Sequence, residues 1–128
     1  MANGITAGFE NLNGVKVIEK TENSVAIEFS VPPDNPYFDG HFPGFSLLPA
    51  IAQVELTIRF ASEYLGTGLS LSGMLRVKFT QLIFPNIPLL LRLEKSEKSL
   101  AFKIISPKDK SLYSSGTLAI SHRKGDDM

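Results

Sequence analysis

Cysteine is absent from this 128-residue chain, which excludes disulfides, a thiolate nucleophile and cysteine-ligated metals. Neither sign of charge is in excess, because 13 lysines and arginines are matched by 13 aspartates and glutamates. This balance gives no reason to expect nucleic acid or an anionic membrane as a partner. The chain also lacks an apolar run as long as a membrane span, and its N-terminus lacks the features of a signal peptide. These absences favour one soluble, cytoplasmic domain that is long enough to bury a core.

Alternating apolar and polar residues predict strands on both sides of a single helical segment. Residues 15–20 and 24–31 form a predicted hairpin, in which Val25, Ile27 and Phe29 share one face. A strand–helix–strand order of this kind predicts an α+β domain, in which an antiparallel sheet covers one long helix. Further strands are expected at residues 71–84, 87–94, 100–106 and 112–121.

The apolar period changes from two residues to three or four after Pro49, which indicates an amphipathic helix. Pro49 suits the first turn of this helix and Gly66 suits its end. Glu55 is the one acidic residue between positions 51 and 61, and it lies roughly 80° from the centre of the apolar stripe at 100° per residue. We therefore expect Glu55 to face a cleft at the edge of the core. The predicted stripe consists of Ile51, Val54, Ile58, Ala61 and Leu65.

One of only two histidines, His41, lies in a turn-rich loop just before this helix. An imidazole can act as a general base, and a carboxylic acid in apolar surroundings can act as a general acid. His41 and Glu55 are therefore a candidate acid/base pair, provided that the fold brings them together. Taken singly, a loop histidine is most often a surface residue and a helix glutamate is most often solvated.

The segment HFPGFSLLPAIAQVE resembles the signature of the 3-hydroxyacyl-acyl carrier protein dehydratases, a family with the hotdog fold. In that family a proline follows the loop histidine by eight residues and an acidic residue follows it by fourteen, as Pro49 and Glu55 follow His41 here. Residues 73–79 (GMLRVKF) and the turn at Pro85 also resemble the family. The resemblance covers roughly residues 15–121 and implies a sheet wrapped around one central helix.

The resemblance also implies the chemistry of the site. His41 would remove the C2 proton of a 3-hydroxyacyl thioester, and Glu55 would protonate the departing 3-hydroxyl group. The substrate would be carried on the phosphopantetheine arm of acyl carrier protein, without a metal or redox cofactor. Backbone N–H groups in the loop or at the helix start would bind the thioester oxygen. The residues expected to bind the substrate are Phe42, Gly44, Pro49 and Ala50.

Two further expectations concern partners. In the resembling family, protomers pair edge to edge, and each site takes its histidine from one chain and its acid from the other. A homodimer is therefore expected, with higher oligomers left open. Arg76 and Lys78 lie on one predicted strand, where they are either simply solvated or contact the acidic carrier protein.

Several positions depart from the family pattern and indicate a specialised relative in a fatty acid, polyene, polyketide or lipid pathway. Ala50 stands where glycine is usual, and Arg59 stands where housekeeping members have glutamine. Ser46 and Asn86 replace a proline and a glycine. Two alternatives stay open: a hotdog thioesterase, in which Glu55 activates water, and a non-catalytic hotdog partner subunit. The histidine loop argues against the first, and the presence of both His41 and Glu55 argues against the second.

Overall fold

The structure, a computed structural model, describes residues 8–39, 46–68 and 71–120, and within them the main element is a six-stranded antiparallel sheet. The strand order is β1-β2-β4-β5-β6-β3, so β1 and β3 form the two edges. One helix, α1 (Ala50–Leu65), packs against β2 and β4. The strands are β1 (Asn13–Lys20), β2 (Ser24–Ser30), β3 (Leu71–Phe79), β4 (Leu89–Lys95), β5 (Ser99–Ile105) and β6 (Leu112–Ile120).

The predicted bounds of the helix are confirmed. Pro49 is the N-cap, with φ −73° and ψ 161°, and Gly66 ends the helix in the left-handed conformation at φ 70°. Leu56 and Phe60 are fully buried, so the side of the helix that carries them faces the core. No helix in the described part of the chain is long and apolar enough to cross a membrane.

The predicted apolar stripe is wrong at its first position, because Ile51 is 70% exposed. Ile51 lies one turn before Glu55 and two turns before Arg59, and this side of α1 is the more accessible one. The buried side is centred instead on Gln53, Thr57 and the neighbouring apolar residues. The core therefore takes in two polar helix residues that the apolar pattern did not mark.

The predicted pattern of β2 is confirmed, since Val25, Ile27 and Phe29 are all buried. The strand predicted at residues 71–84 ends earlier, at Phe79. Beyond it the chain forms a loop in which Ile83 is buried and its carbonyl accepts a hydrogen bond from Leu48 N–H at 2.9 Å. This loop is therefore tied to the segment that leads into α1.

The edge strand β3 has an irregular register and an apolar surface. The four residues from Leu75 to Lys78 oppose only three residues of β6, and within this bulge Arg76 adopts a positive φ of 53°. Gly116 of β6 makes room for the bulge, because a Cβ atom there would lie 2.8 Å from Val77 Cα. The exposed apolar side chains of β3 are Leu71, Met74, Leu75 and Phe79.

Candidate active site

Glu55 lies on the accessible side of α1, and 24% of its side chain is exposed. Burial raises the pKa of its carboxyl above the ordinary value for glutamate, while the nearby Arg59 guanidinium acts in the opposite direction. The Nε atom of Arg59 lies 3.9 Å from Glu55 Oε2, one helical turn away. Because desolvation is the larger effect, the carboxyl retains its proton more readily than a solvated glutamate does. Proton donation is the chemistry that such a group supports.

A segment near the N-terminus contacts the arginine that lies beside this carboxyl. The Arg59 guanidinium lies 5.4 Å from the centre of the Phe9 ring, and Phe9 packs edge-on against Phe60 at 4.9 Å. These contacts hold the arginine beside Glu55 through a cation–π interaction as well as through charge. Phe9 lies in a short helical turn at residues 8–10.

Tyr37 is a buried neighbour of the site that sequence reasoning missed. It lies in a short 3₁₀ helix, Pro36–Phe38, whose start is capped by the Asn35 side chain accepting a hydrogen bond from Tyr37 N–H at 2.8 Å. The tyrosine hydroxyl is enclosed without a hydrogen-bond partner among the described residues. Burial and the Glu55 carboxylate both raise the pKa of the Tyr37 phenol, and Arg59 lowers it. The phenol therefore lies within electrostatic range of the acid. The Asn-Pro-Tyr sequence was a signal for the capped turn, but not for the burial of its hydroxyl.

The start of α1 forms one wall of a cavity of about 400 Å³. Pro49 and Ala50 contribute to this wall, and Gln53 lies beneath them, 4% exposed. The first N–H groups of a helix have no acceptor within the helix, so the cavity adjoins the position of Ala50, whose N–H the helix itself does not pair. The cavity is lined by Leu47, Leu48, Pro49, Ala50, Gln53 and residues 79–82.

Three of the predicted site residues, His41, Phe42 and Gly44, lie outside the described residues. The described residues before this gap end at Asp39, directly after the 3₁₀ helix that contains Tyr37. Those after it begin at Ser46, four positions before α1. The structure thus gives the positions of Glu55, Pro49 and Ala50, and the meeting of His41 with Glu55 stays a prediction.

The two cations expected to meet a carrier protein are both exposed on β3. Lys78 pairs with Ser115 of β6, which lines a larger, open depression of about 570 Å³ across the sheet. Arg92, Lys103 and Glu19 also line this depression, and Arg92 Nη1 lies 3.4 Å from Glu19 Oε1. None of the predicted catalytic or substrate-binding residues that the structure describes lines it. The smaller cavity at the helix start is therefore the better candidate for the reacting group.

A six-stranded antiparallel sheet packed against one long helix is the hotdog fold, and solved structures support this assignment. The dehydratase heterocomplex ApeI:P from Xenorhabdus doucetiae superposes with a TM-score of 0.73 at 26% identity, covering 85% of this chain and 99% of that one. Zebrafish thioesterase superfamily member 2 shares the fold at a TM-score of 0.58 and 10% identity, covering 85% of this chain and 80% of that one.

Sequence comparison identifies the family within this fold. Residues 17–117 match the family model described as ApeI-like (ApeI dehydratase), and the chain belongs to that family. The chain is also 25% identical over 116 residues to the 3-hydroxyacyl-[acyl-carrier-protein] dehydratase FabZ of Streptococcus sanguinis, with 83% of each chain covered. The predicted resemblance to the FabZ-like dehydratases is thereby confirmed.

Proposed function

We propose that this protein dehydrates 3-hydroxyacyl thioesters carried on acyl carrier protein to trans-2-enoyl thioesters. The observation that carries the proposal is Glu55, a partly buried carboxyl whose pKa is raised and which lies on the helix whose start lines the cavity. Membership of a dehydratase family and the activity named for the Streptococcus relative support the same reaction.

The proposed reaction uses the two candidate groups in turn. The His41 imidazole accepts the proton from C2, and the electron pair of that C–H bond is first delocalised onto the thioester oxygen and then forms the C2–C3 double bond. The C3–O bond breaks as the Glu55 carboxylic acid gives its proton to the hydroxyl group, which leaves as water. Transfer of the proton from the histidine to the glutamate then restores both groups. These steps need no redox cofactor, because dehydration involves no net oxidation or reduction, and both proton transfers are assigned to His41 and Glu55 and not to a metal.

Negative charge gathers on the thioester oxygen as the C2 proton departs. We propose that the N–H of Ala50 at the helix start, together with the loop around Phe42 and Gly44, binds this oxygen. Pro49 lines the same cavity and fixes the backbone before Ala50. The Ala50 methyl group narrows the space beside the thioester, which fits a specialised substrate from a fatty acid, polyene or polyketide pathway. The exposed Arg76 and Lys78 offer cations to the acidic carrier protein.

The proposal is tested with a 3-hydroxyacyl carrier-protein substrate, following the conjugated enoyl product and, separately, the free thiol. We expect His41→Ala and Glu55→Gln each to lower dehydration by roughly 10²–10⁴-fold. Glu63→Gln is the matched control, since Glu63 is an exposed glutamate on the same helix. Near-normal turnover in either site variant would refute the role assigned to that residue. Free thiol without enoyl product would indicate a thioesterase, and no turnover of either kind would indicate a non-catalytic partner subunit.

We further propose that the active unit is a homodimer joined through β3. This edge strand exposes apolar side chains and a row of backbone groups that no other described strand pairs, and a second copy of the chain can cover both. In such a dimer His41 of one chain would meet Glu55 of the other. His41→Ala and Glu55→Ala protomers, refolded together, would then recover roughly a quarter of wild-type activity, because half the pairs are mixed and each mixed pair has one intact site. Confirmed exchange of protomers without recovery would rule out the shared site.

A further inference from the structure

We infer that Gln53 is a positioning residue, which aims the backbone N–H of Ala50 into the cavity at the start of α1. The inference rests on the proposed function for its chemical meaning. Its geometry rests on three hydrogen bonds and on one buried atom that lacks a partner among the described residues. The family resemblance described above assigns no role to Gln53.

Gln53 holds two successive carbonyl groups at the entrance to the helix. Its side-chain Nε2 donates to Leu48 O at 3.1 Å, and its backbone N–H donates to Pro49 O at 3.1 Å. Ala52 N–H also donates to Pro49 O, at 3.0 Å. Both peptide planes that precede Ala50 are therefore bonded to the first turn of the helix.

The direction of the Ala50 N–H follows from these bonds. In a planar trans peptide the N–H points opposite to the carbonyl of the same plane. Since Pro49 O points along the helix towards Gln53 N–H, the Ala50 N–H points away from the helix, where Ala50 is exposed and lines the cavity. The proline ring fixes the φ angle of Pro49. A hydrogen bond that holds the Leu48 carbonyl therefore also restricts the orientation of the Pro49–Ala50 peptide plane. Leu48 N–H is in turn bonded to Ile83 O at 2.9 Å.

The other half of the Gln53 amide indicates that the residue is not there for stability alone. Gln53 is 4% exposed, and its Oε1 has no hydrogen-bond partner among the described residues. The amide cannot be turned round, because the Leu48 carbonyl accepts only from the nitrogen. A buried acceptor without a partner destabilises the fold, whereas an apolar side chain of the same volume would not. A buried polar residue that lowers stability beside a candidate reacting group is expected where function requires it.

The main test replaces Gln53 by methionine, which matches its length and has no N–H donor. We expect kcat to fall by about 10- to 100-fold with KM within about twofold, because losing one oxyanion donor outright lowers kcat by about 10²–10³-fold. We also expect the backbone ¹H–¹⁵N signal of Ala50 to shift, and the melting temperature to change little, because the substitution removes one buried acceptor without a partner among the described residues, at Gln53, and creates another at Leu48. Thr57→Val is the control. Thr57 is fully buried one helical turn after Gln53, and its hydroxyl donates a hydrogen bond to the Gln53 carbonyl at 2.9 Å. The kcat and KM of this variant should stay within about twofold of wild type.

A second variant, Gln53→Glu, separates the effect of the side-chain hydrogen-bond donor from the effect of the side chain's shape. Its carboxyl can donate to Leu48 O only while protonated. The ratio of its kcat to that of Gln53→Met should therefore rise as the pH falls, because the protonated carboxyl restores the donor to Leu48 O. A pH-independent ratio, or wild-type kcat in Gln53→Met, would overturn the inference. The NMR signal of Ala50 is measured without turnover. If the signal shifts in Gln53→Met but the wild-type protein has no dehydratase activity, the proposed function is wrong and the inferred geometry stands.

Discussion

The guanidinium of Arg59 lies 3.9 Å from the carboxylate of Glu55, on the same accessible side of α1. Two opposing influences meet at this carboxyl, since burial favours its neutral form and the arginine favours its charged form. The pH range in which Glu55 can donate a proton therefore depends on burial and, to a smaller extent, on the charge of Arg59.

Arg59→Gln should extend dehydration to higher pH. Removing the cation leaves desolvation unopposed, so the pKa of Glu55 rises further and the carboxyl stays protonated to higher pH. The alkaline limb of the pH profile of kcat, where activity falls as the acid ionises, should move to higher pH. Arg92→Gln is the control, because Arg92 pairs with Glu19 on the sheet face that lacks the site. An alkaline limb that stays in place or moves downward in Arg59→Gln would contradict the assignment of Glu55 as the acid.

Tyr37→Phe should leave the free energy of unfolding unchanged or raise it by up to about 1 kcal/mol, because it removes an enclosed hydroxyl that has no partner among the described residues. Denaturant unfolding measures the change, and Tyr64→Phe on α1 serves as the comparison because Tyr64 is only partly buried. A loss of more than about 1 kcal/mol would show that the Tyr37 hydroxyl has a partner after all.

Gly116→Ala should destabilise the fold by about 1–3 kcal/mol, because the new methyl group would meet Val77 Cγ2 at 2.7 Å and Val77 Cα at 2.8 Å. Gly73→Ala on the neighbouring strand is a close control, since its nearest contact would be an ordinary 3.7 Å to Ala119. Thermal and chemical unfolding of the two variants should therefore differ clearly. Equal stabilities would mean that the β3 bulge moves aside at little cost.

Ala50→Gly should change the rate or the substrate preference far more than it changes stability. Its N–H is proposed to bind the thioester oxygen, and its methyl group restricts how that group can lie. At the first position of the helix the glycine should lower the free energy of unfolding by no more than about 1 kcal/mol. Kinetics on a series of acyl chains measure the effect. Unchanged kinetics on every substrate would place Ala50 outside the site.

The sequence was sufficient for the helix, since Pro49 and Gly66 are local signals that act through their own backbone preferences. The alternation of β2 succeeded because one of its faces packs on the core. The predicted burial of Ile51 was wrong, because an apolar side chain at helical spacing does not show which side of the helix the sheet will cover. The positive φ of Arg76 could not be foreseen, because arginine rarely adopts it and the opposing Gly116 lies 40 positions away in the sequence.

The candidate site was only partly predictable for the same reason. Glu55 was found from its place at the edge of an apolar stripe. Tyr37 and Gln53 were missed, because a tyrosine beside prolines and a glutamine in a helix carry no sign of burial. Both have a polar atom that lacks a partner among the described residues, and such a feature arises only from packing between distant segments.

The way in which the sheet edges pair decides whether assembly closes or continues. Pairing β3 with a second β3 leaves a β1 edge at each end of the dimer, whereas pairing β3 with β1 of another copy leaves one edge of each kind and can extend into a filament. The ladder of β1 is interrupted twice, and lysines stand at Lys16 and Lys20. The ladder of β3 is also interrupted twice, and β3 carries the cations Arg76 and Lys78. Interruptions and charges of this kind are how sheet proteins discourage open-ended polymerisation. The features of both edges therefore disfavour a filament.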